Sequence, residues 1–308
     1  MKPIIRLACL AVAATILGPP TPIAAQRPFD EIIVFGHSGS DPGNAFRLSG
    51  EVVAAPPYFG GRFSNGPLWI EWLANRLGFQ HPTEKNFYPS PSLAGGTCYA
   101  YGGAETGSGF SDACLGVGPN KVCAPNVGLQ IEMFFADGRT LDGDELIVVR
   151  AGGNDASPVI AARNMGDHIA TLAAAGGKVF LVPGERRFSQ DPGGIEADPS
   201  MNTFVAIFNA ALAEELDAVE AMFDITIIRF DLLGLNDRII AEPAVFGLTN
   251  VTEPACPDCG FGIPAPGAEA TIVPNPDEYL YWDDFHFTAV VQKIIGDAAA
   301  DYVLAARQ

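Results

Sequence analysis

A serine near the start of the chain stands in a setting suited to nucleophilic catalysis. Ser38 has a glycine two residues before it and another directly after it, at Gly36 and Gly39. Small neighbours let a serine occupy a tight strand-to-helix turn with its hydroxyl exposed and its backbone N–H free. The segment is not a complete G-x-S-x-G elbow, because Ser40 stands where the second glycine would be. Many serines in glycine-rich turns are structural, so a catalytic role for Ser38 requires partners.

The partners are predicted near the other end of the sequence, where Asp283 precedes His286 by three residues. A carboxylate at that spacing can hold the imidazole Nδ1–H, which leaves Nε2 to take a proton from a serine. We therefore predict that His286 is the general base and that Asp283 orients it. His81 and His168 lack a comparable setting, and such histidines are usually surface or packed residues.

Two further loops contain groups that suit the negative charge of a reacting carbonyl oxygen, which needs several aligned donors. One loop contains Gly102 and Gly103 after Tyr101, and the other contains Asn154 shortly after Gly152. Either loop alone would be better interpreted as structural, the first as a glycine turn and the second as an asparagine helix cap. Together with Ser38 they form a candidate oxyanion hole.

These loops need a scaffold that brings them to one edge, and the apolar patterning predicts one. Candidate strands are Glu31–Gly36, Thr97–Tyr101, Glu145–Arg150, Lys178–Pro183 and Asp224–Phe230. Helical spacing covers Pro67–Leu77, Val127–Ala136, Pro158–Ala175, Asn202–Met222 and Ala289–Ala306. Most of the strands are apolar nearly throughout, which is typical of a parallel sheet covered by helices on both faces. The alternation predicts an α/β sandwich whose strands have their carboxyl ends on one edge.

In this order, the four loops resemble those of the SGNH/GDSL hydrolase family. The blocks are Gly36-His37-Ser38, Gly102-Gly103, Gly152-x-Asn154-Asp155 and Asp283-x-x-His286. Flanking similarity is found in Ser40-Asp41-x-Gly43-Asn44, in residues 61–66 and in residues 246–252. The resemblance covers nearly all of the chain after its N-terminal segment.

The resemblance implies a flavodoxin-like three-layer sandwich with a parallel sheet of about five strands, and a serine hydrolase that needs neither metal nor cofactor. The implied roles are nucleophile for Ser38, base for His286, orienting acid for Asp283, and oxyanion donors for the Ser38 N–H, Gly103 and Asn154. Gly102 is the alternative to Gly103, because two adjacent glycines leave the register open.

Four positions depart from the family pattern. His37 replaces the usual Asp, Gly39 a frequent Leu, Cys98 a common Asn and Phe287 the usual Pro. The family Asp helps to hold the nucleophile loop. Our hypothesis is that His37 either holds the loop by hydrogen bonding, or lies near Ser38 and disturbs or supplements the base, so that activity is modest or shifted in pH.

The composition limits the class and location of the protein. The 308 residues are 48% hydrophobic and 18% charged, which predicts a globular protein with a sizeable core. Lys2, Arg6 and the apolar run from Leu7 to Leu17 have the layout of a secretory signal peptide, with cleavage expected after Ala25. We expect residues 1–25 to be removed, and residues 26–308 to form one hydrolase domain, periplasmic or extracellular and without a stable membrane anchor.

The formal net charge of −18 makes nucleic acid an unfavourable partner.

The later cysteines predict two local disulfides. Cys114 with Cys123 and Cys256 with Cys259 would each close a short loop, and Cys98 would remain unpaired. The competing interpretation of the second pair is half of a zinc knuckle, but no second C-x-x-C motif completes it.

The predicted activity is that of a secreted esterase or lipase that forms an acyl-enzyme on Ser38 and acts on small-molecule or lipid esters. Two alternatives are a carbohydrate O-acetyl esterase and a weakened hydrolase that now serves as a binding protein. Tyr58, Phe59, Phe63 and Tyr101 suggest either an apolar crevice or ordinary core packing. Chain-length preference and oligomeric state are left open by the sequence.

Overall fold

The computed structural model describes most of the chain after its N-terminal segment. The described residues are 27–79, 90–112, 114–116, 121, 123–188, 191–192, 199–260, 262 and 270–307. The predicted signal peptide and His81 lie outside them.

The centre of the fold is a parallel sheet of four regular strands. They are β1 (Glu31–Gly36), β2 (Glu145–Arg150), β3 (Val179–Pro183) and β4 (Thr226–Phe230), hydrogen bonded in that order. In β1, Ile32 and Val34 pack into the core on one face of the sheet, whereas Ile33 and Phe35 pack into the core on the other face. Both faces of the sheet are buried in apolar cores, which explains why the strands are apolar at successive positions and do not alternate with polar residues.

Helices cover both faces and complete the predicted α/β sandwich. They are α1 (Asn44–Leu48), α2 (Trp69–Arg76), α3 (Val127–Ala136), α4 (Pro158–Ala174), α5 (Pro199–Met222), α6 (Leu232–Ala241) and α7 (Ala289–Ala305). One core contains buried apolar residues of α2, α6 and α7, and the other contains those of α3, α4 and α5. The five predicted helices are confirmed within a few residues, whereas the short α1 and α6 were not predicted.

The predicted strand Thr97–Tyr101 is present as an extended segment beside β1 but not as a regular strand. Tyr99 N–H donates to Val34 O at 2.7 Å, and a single bridge joins Val34 to Cys98. The ladder is interrupted at one rung, because Gly36 N–H donates to the Gln130 side chain at 2.8 Å, although Gly36 O still accepts the Tyr101 N–H at 3.1 Å. A side chain from α3 therefore replaces the next backbone partner.

A small second sheet lies near the C-terminal part of the chain and was not predicted. Strand β5 (Asn250–Pro254) pairs in parallel with β6 (Tyr279–Tyr281). Because β6 ends two residues before Asp283, this sheet fixes one end of the loop that carries the candidate base, and α7 fixes the other end.

Both predicted disulfides are confirmed, since Cys114 is bonded to Cys123 and Cys256 to Cys259. Cys98 is a buried free thiol, as expected. Across the described part of the chain, no helix combines the length and the apolar character needed to cross a membrane.

Candidate active site

The nucleophile loop is shaped by the close approach of two strands. At Gly36, which has a φ of 154°, a Cβ atom would lie 2.2 Å from Arg150 O, so only glycine fits at the end of β1. The chain then turns through a short 3-10 segment, Ser38–Ser40, in which Ser40 N–H donates to His37 O at 2.9 Å. This turn leaves the Ser38 side chain facing a cavity at the carboxyl ends of the strands.

Asp41 ties the nucleophile loop to the neighbouring glycine loop. Its carboxylate accepts N–H bonds from Gly43, Asn44 and Ala45 at the start of α1, and from Gly102 at 2.8 Å. Burial raises the pKa of Asp41 to about 6, although the four N–H donors act in the opposite direction. The carboxylate is thus a junction that holds two loops in one arrangement.

The predicted serine, histidine and aspartate are brought together by the fold. His286 Nε2 lies 3.0 Å from Ser38 Oγ, and His286 Nδ1 lies 2.7 Å from Asp283 Oδ2. These distances allow a continuous hydrogen-bonded chain from hydroxyl to carboxylate. The geometry that the spacing of Asp283 and His286 predicts is therefore present, across 248 positions of sequence between His286 and Ser38.

Asp283 is held from several sides. Its Oδ1 accepts N–H bonds from Phe285 and His286, at 2.8 and 2.7 Å, and its Oδ2 accepts the Tyr58 hydroxyl at 2.6 Å. Burial alone would raise the pKa of Asp283, but the neighbouring His286, the Tyr58 hydroxyl and the Phe285 N–H together hold it below its ordinary value. The aspartate is therefore charged and fixed in orientation.

Arg186 holds the backbone of the same loop. Its guanidinium pairs with the buried carboxylate of Asp191 and donates to Phe285 O, one residue before the histidine. It also lies 4.6 Å from the centre of the Phe287 ring, a cation–π distance. Phe287, which stands where the family usually has proline, thus has a specific packing partner.

The candidate oxyanion donors lie in the same cavity as Ser38. Gly103 and Asn154 line the same cavity as Ser38, and the Asn154 side chain is steadied by donating to Ala104 O at 2.8 Å. Gly102 N–H is already committed to Asp41. Of the two adjacent glycines, the arrangement therefore favours Gly103 as the donor.

His37 adopts a single arrangement in the nucleophile loop. Its Nδ1 accepts the Gly39 N–H at 3.1 Å, so the proton belongs on Nε2, which faces Glu185 Oε1 at 3.2 Å. Burial lowers the pKa of His37, more strongly than Glu185 raises it. The histidine therefore holds the loop by hydrogen bonding as a neutral ring, which is one of the two roles considered for it.

The cavity has a volume of about 210 Å³, with an apolar side and a polar side. The apolar side is formed by Phe63, Leu115, Phe188, Phe285 and Phe287. Of the four aromatic residues suggested by the sequence, only Phe63 is in this wall. Tyr58 contacts Asp283, Phe59 is exposed and Tyr101 is buried in a separate cluster.

Arg150, Glu185 and Tyr58 are among the side chains at this site that the sequence did not point to. Arg150 ends β2, Glu185 comes shortly after β3, and Tyr58 reaches Asp283 from a distant loop. The first two carried a usable signal, because a charged residue at the carboxyl end of a buried parallel strand points to the ligand edge. Tyr58 carried none.

In the described residues, no cluster of three or more metal-binding side chains is found, so the half zinc knuckle considered for Cys256 and Cys259 gains no support. Those two cysteines are bonded to each other.

Sequence comparison places the chain among known proteins. GDSL esterase/lipase At1g28570 of Arabidopsis thaliana is 29% identical over 334 residues, which cover 87% of this chain and 84% of the relative. GDSL esterase/lipase At2g27360 of the same plant is 28% identical, with 88% and 84% covered. Among solved structures, a carbohydrate acetylesterase from Sinorhizobium meliloti aligns with a TM-score of 0.47 and 16% identity, over 90% of this chain and 99% of that one.

The sequence model of the family described as GDSL-like Lipase/Acylhydrolase matches residues 32–299, a span that contains all four of the loops described above. The resemblance carried by those loops is therefore confirmed, and the chain belongs to the GDSL-like lipase/acylhydrolase family.

Proposed function

We propose that this protein is an exported serine esterase, a carboxylic ester hydrolase with Ser38 as nucleophile, His286 as general base and Asp283 as orienting acid. The observation that carries the proposal is the hydrogen-bonded chain from Ser38 Oγ through the imidazole to a buried carboxylate. Family membership gives independent support for ester chemistry.

The reaction proceeds in two halves. Ser38 Oγ attacks the ester carbonyl carbon while His286 Nε2 takes its proton, and the C=O bond opens to a tetrahedral oxyanion. Ser38 N–H, Gly103 N–H and the Asn154 amide stabilise that charge. The C–O bond to the alcohol then breaks as His286 returns the proton to the leaving oxygen. A water molecule, deprotonated by His286, then attacks the acyl carbon. The bond from that carbon to Ser38 Oγ breaks as His286 returns the proton to Oγ, which releases the acid and restores Ser38.

Export belongs to the proposal as well. Residues 1–25 have the layout of a signal peptide, and the two disulfides among the described residues suit an oxidising compartment. Expression with the native N-terminus should yield a processed protein that begins at Gln26 and comprises the single hydrolase domain. N-terminal sequencing of the exported product tests this, and an unprocessed Met1 would contradict it.

The deciding experiment measures hydrolysis of p-nitrophenyl acetate, butyrate and longer acyl esters by the processed protein. Ser38→Ala, checked for folding by circular dichroism, should lose about 10⁵-fold or more in kcat. The chain-length profile separates a lipase from a short-chain deacetylase. A folded wild-type protein that turns over no ester would contradict the proposal and favour the binding-protein alternative.

A further inference from the structure

The polar side of the cavity is formed by charged residues at the ends of two neighbouring strands. Arg150 is the last residue of β2, and Glu185 comes two residues after the end of β3. Because β2 lies between β1 and β3, these residues are placed directly beside the nucleophile loop. Both line the same cavity as Ser38, and their exposed fractions are only 5% and 1%.

The guanidinium of Arg150 lies 5.9 Å from the centre of the Trp69 ring but is poorly satisfied in hydrogen bonds. Its Nε is fully buried and makes no hydrogen bond to any described residue. The carboxylate it faces, Glu185 Oε2, is 4.0 Å from Nη2, which is an ion-pair distance but too long for a hydrogen bond. Buried guanidinium groups usually satisfy several of their five N–H donors. Because Nε is closed off, a molecule that enters the cavity can offer an acceptor only to the terminal Nη atoms, whose contact with Glu185 is long.

Glu185 offers the complementary group. Its Oε1 is occupied by His37 Nε2 at 3.2 Å, whereas the contact given for Oε2 among the described residues is the long one with Arg150. The carboxylate is charged, since His37, Arg150 and Arg186 lower its pKa to about 2 against the opposing effect of burial. The cavity wall thus presents a hydrogen-bond donor, Arg150 Nη2, and an acceptor, Glu185 Oε2, which are 4.0 Å apart.

This pairing favours a ligand group that can accept and donate hydrogen bonds at the same time. A hydroxyl can accept from Arg150 and donate to Glu185 at the same time, whereas an alkyl chain would satisfy neither. A carboxylate on the ligand would be repelled by Glu185, which faces the same cavity.

Gly39 gives the guanidinium its space. A Cβ atom at position 39 would lie 2.8 Å from Arg150 Nη1 and 3.3 Å from its Cζ. A larger residue at this position, such as the leucine frequent in the family, would have to displace the arginine head group. The unusual glycine and the polar wall are therefore parts of one arrangement.

We propose that Arg150 and Glu185 form a hydroxyl-binding subsite, so that the preferred ester carries a hydroxyl group close to the scissile bond. This inference rests on the proposed esterase function, because the subsite lies in the wall of the same cavity. The hydroxyl belongs either to the acyl part or to the alcohol part of the ester, and the experiment distinguishes the two.

The experiment compares kcat/KM for two matched pairs of esters. p-Nitrophenyl 3-hydroxybutyrate against p-nitrophenyl butyrate tests the acyl part, and ethylene glycol monoacetate against ethyl acetate tests the alcohol part. For one of the two pairs, kcat/KM of the wild-type protein should be about 10- to 100-fold higher for the hydroxylated ester than for its partner. This is the range expected for a hydrogen bond to a charged group. Arg150→Met should bring that ratio close to 1.

A second variant and a control keep the test decisive. Glu185→Gln, which preserves shape, should also reduce the ratio. Arg187→Met is the matched control, because Arg187 is 41% exposed and pairs with Asp237 at 2.8 Å, outside the cavity wall. Ester hydrolysis with the same ratio in wild type and both variants would overturn the subsite alone. Failure of the wild type to hydrolyse any of the four esters would overturn the esterase function and the subsite together.

Discussion

Tyr58→Phe removes a single hydroxyl from the candidate site while preserving the ring. The hydroxyl donates to Asp283 Oδ2 at 2.6 Å and accepts the Gly262 N–H at 3.0 Å. A hydrogen bond to a charged group contributes about 1.5–3 kcal/mol, and an orphaned buried N–H costs about 1–3 kcal/mol more. Since such effects are not additive, we expect the free energy of unfolding to fall by about 3 kcal/mol at pH 7.

The effect of Tyr58→Phe on catalysis should be smaller than loss of the aspartate itself. Asp283 keeps the imidazole and two N–H donors, from Phe285 and His286, so its orientation is mostly preserved. We expect kcat to fall by about 10-fold, against about 10⁴-fold for Asp283→Asn, which leaves the base in the wrong tautomer. Hydrolysis of p-nitrophenyl butyrate under saturating conditions measures both variants.

The stability deficit of Tyr58→Phe should depend on pH. Because the pKa of Asp283 is lowered in the folded state, its contribution is fully present above the ordinary aspartate value and is lost as pH falls through the lower folded value. Urea unfolding at pH 7 and at pH 3 should therefore show a smaller deficit at pH 3.

The matched control for Tyr58→Phe is Tyr99→Phe, which removes a hydroxyl bonded to Asp137 at 2.8 Å, away from the cavity. The control should lose stability without loss of kcat. Equal unfolding free energies for wild type and Tyr58→Phe, or equal losses of kcat in Tyr58→Phe and Tyr99→Phe, would refute the reasoning.

Three other variants test the rest of the site. Asn154→Ala should lower kcat by about 10²–10³-fold with little change in KM, and an unchanged kcat would remove Asn154 from the oxyanion hole. Arg186→Gln leaves a buried carboxylate unpaired, so urea unfolding should show a loss of about 3–5 kcal/mol together with reduced kcat, whereas Arg187→Gln, whose ion pair is on the surface, should change neither by much. Burial lowers the pKa of His37, so the neutral ring stabilises the fold above its ordinary pKa. This contribution is lost as pH falls through the lowered folded value. His37→Asp should therefore alter the acid side of the pH–rate profile. An identical profile in the two proteins would contradict this role.

The architecture could largely be predicted from short-range patterns. Strands β1 and β2 were bounded correctly, because an apolar run that ends in glycine or arginine is a local signal. The segment at Thr97–Tyr101 was harder, since its pairing with β1 is interrupted by a side chain of α3. No pattern within that segment reports on Gln130, which belongs to another part of the chain.

The residues of the predicted triad could also be named from sequence, because each stands in a distinctive local setting and the settings occur in a fixed order. The residues that support the triad could not be named from the sequence. Tyr58 reaches Asp283 across 225 positions, and His37 reaches Glu185 across 148. Such contacts depend on how separate loops meet in space, which neighbouring residues do not encode.

The sequence by itself determined the chemistry that the site favours, the α/β layering and the two local disulfides, because periodicity and spacing act within a few residues. Only the tertiary structure decided which of Gly102 and Gly103 keeps a free N–H, because that depends on where Asp41 lies. It also decided that Arg150 and Glu185 share the wall of the cavity, because parallel strands far apart in sequence end at one edge.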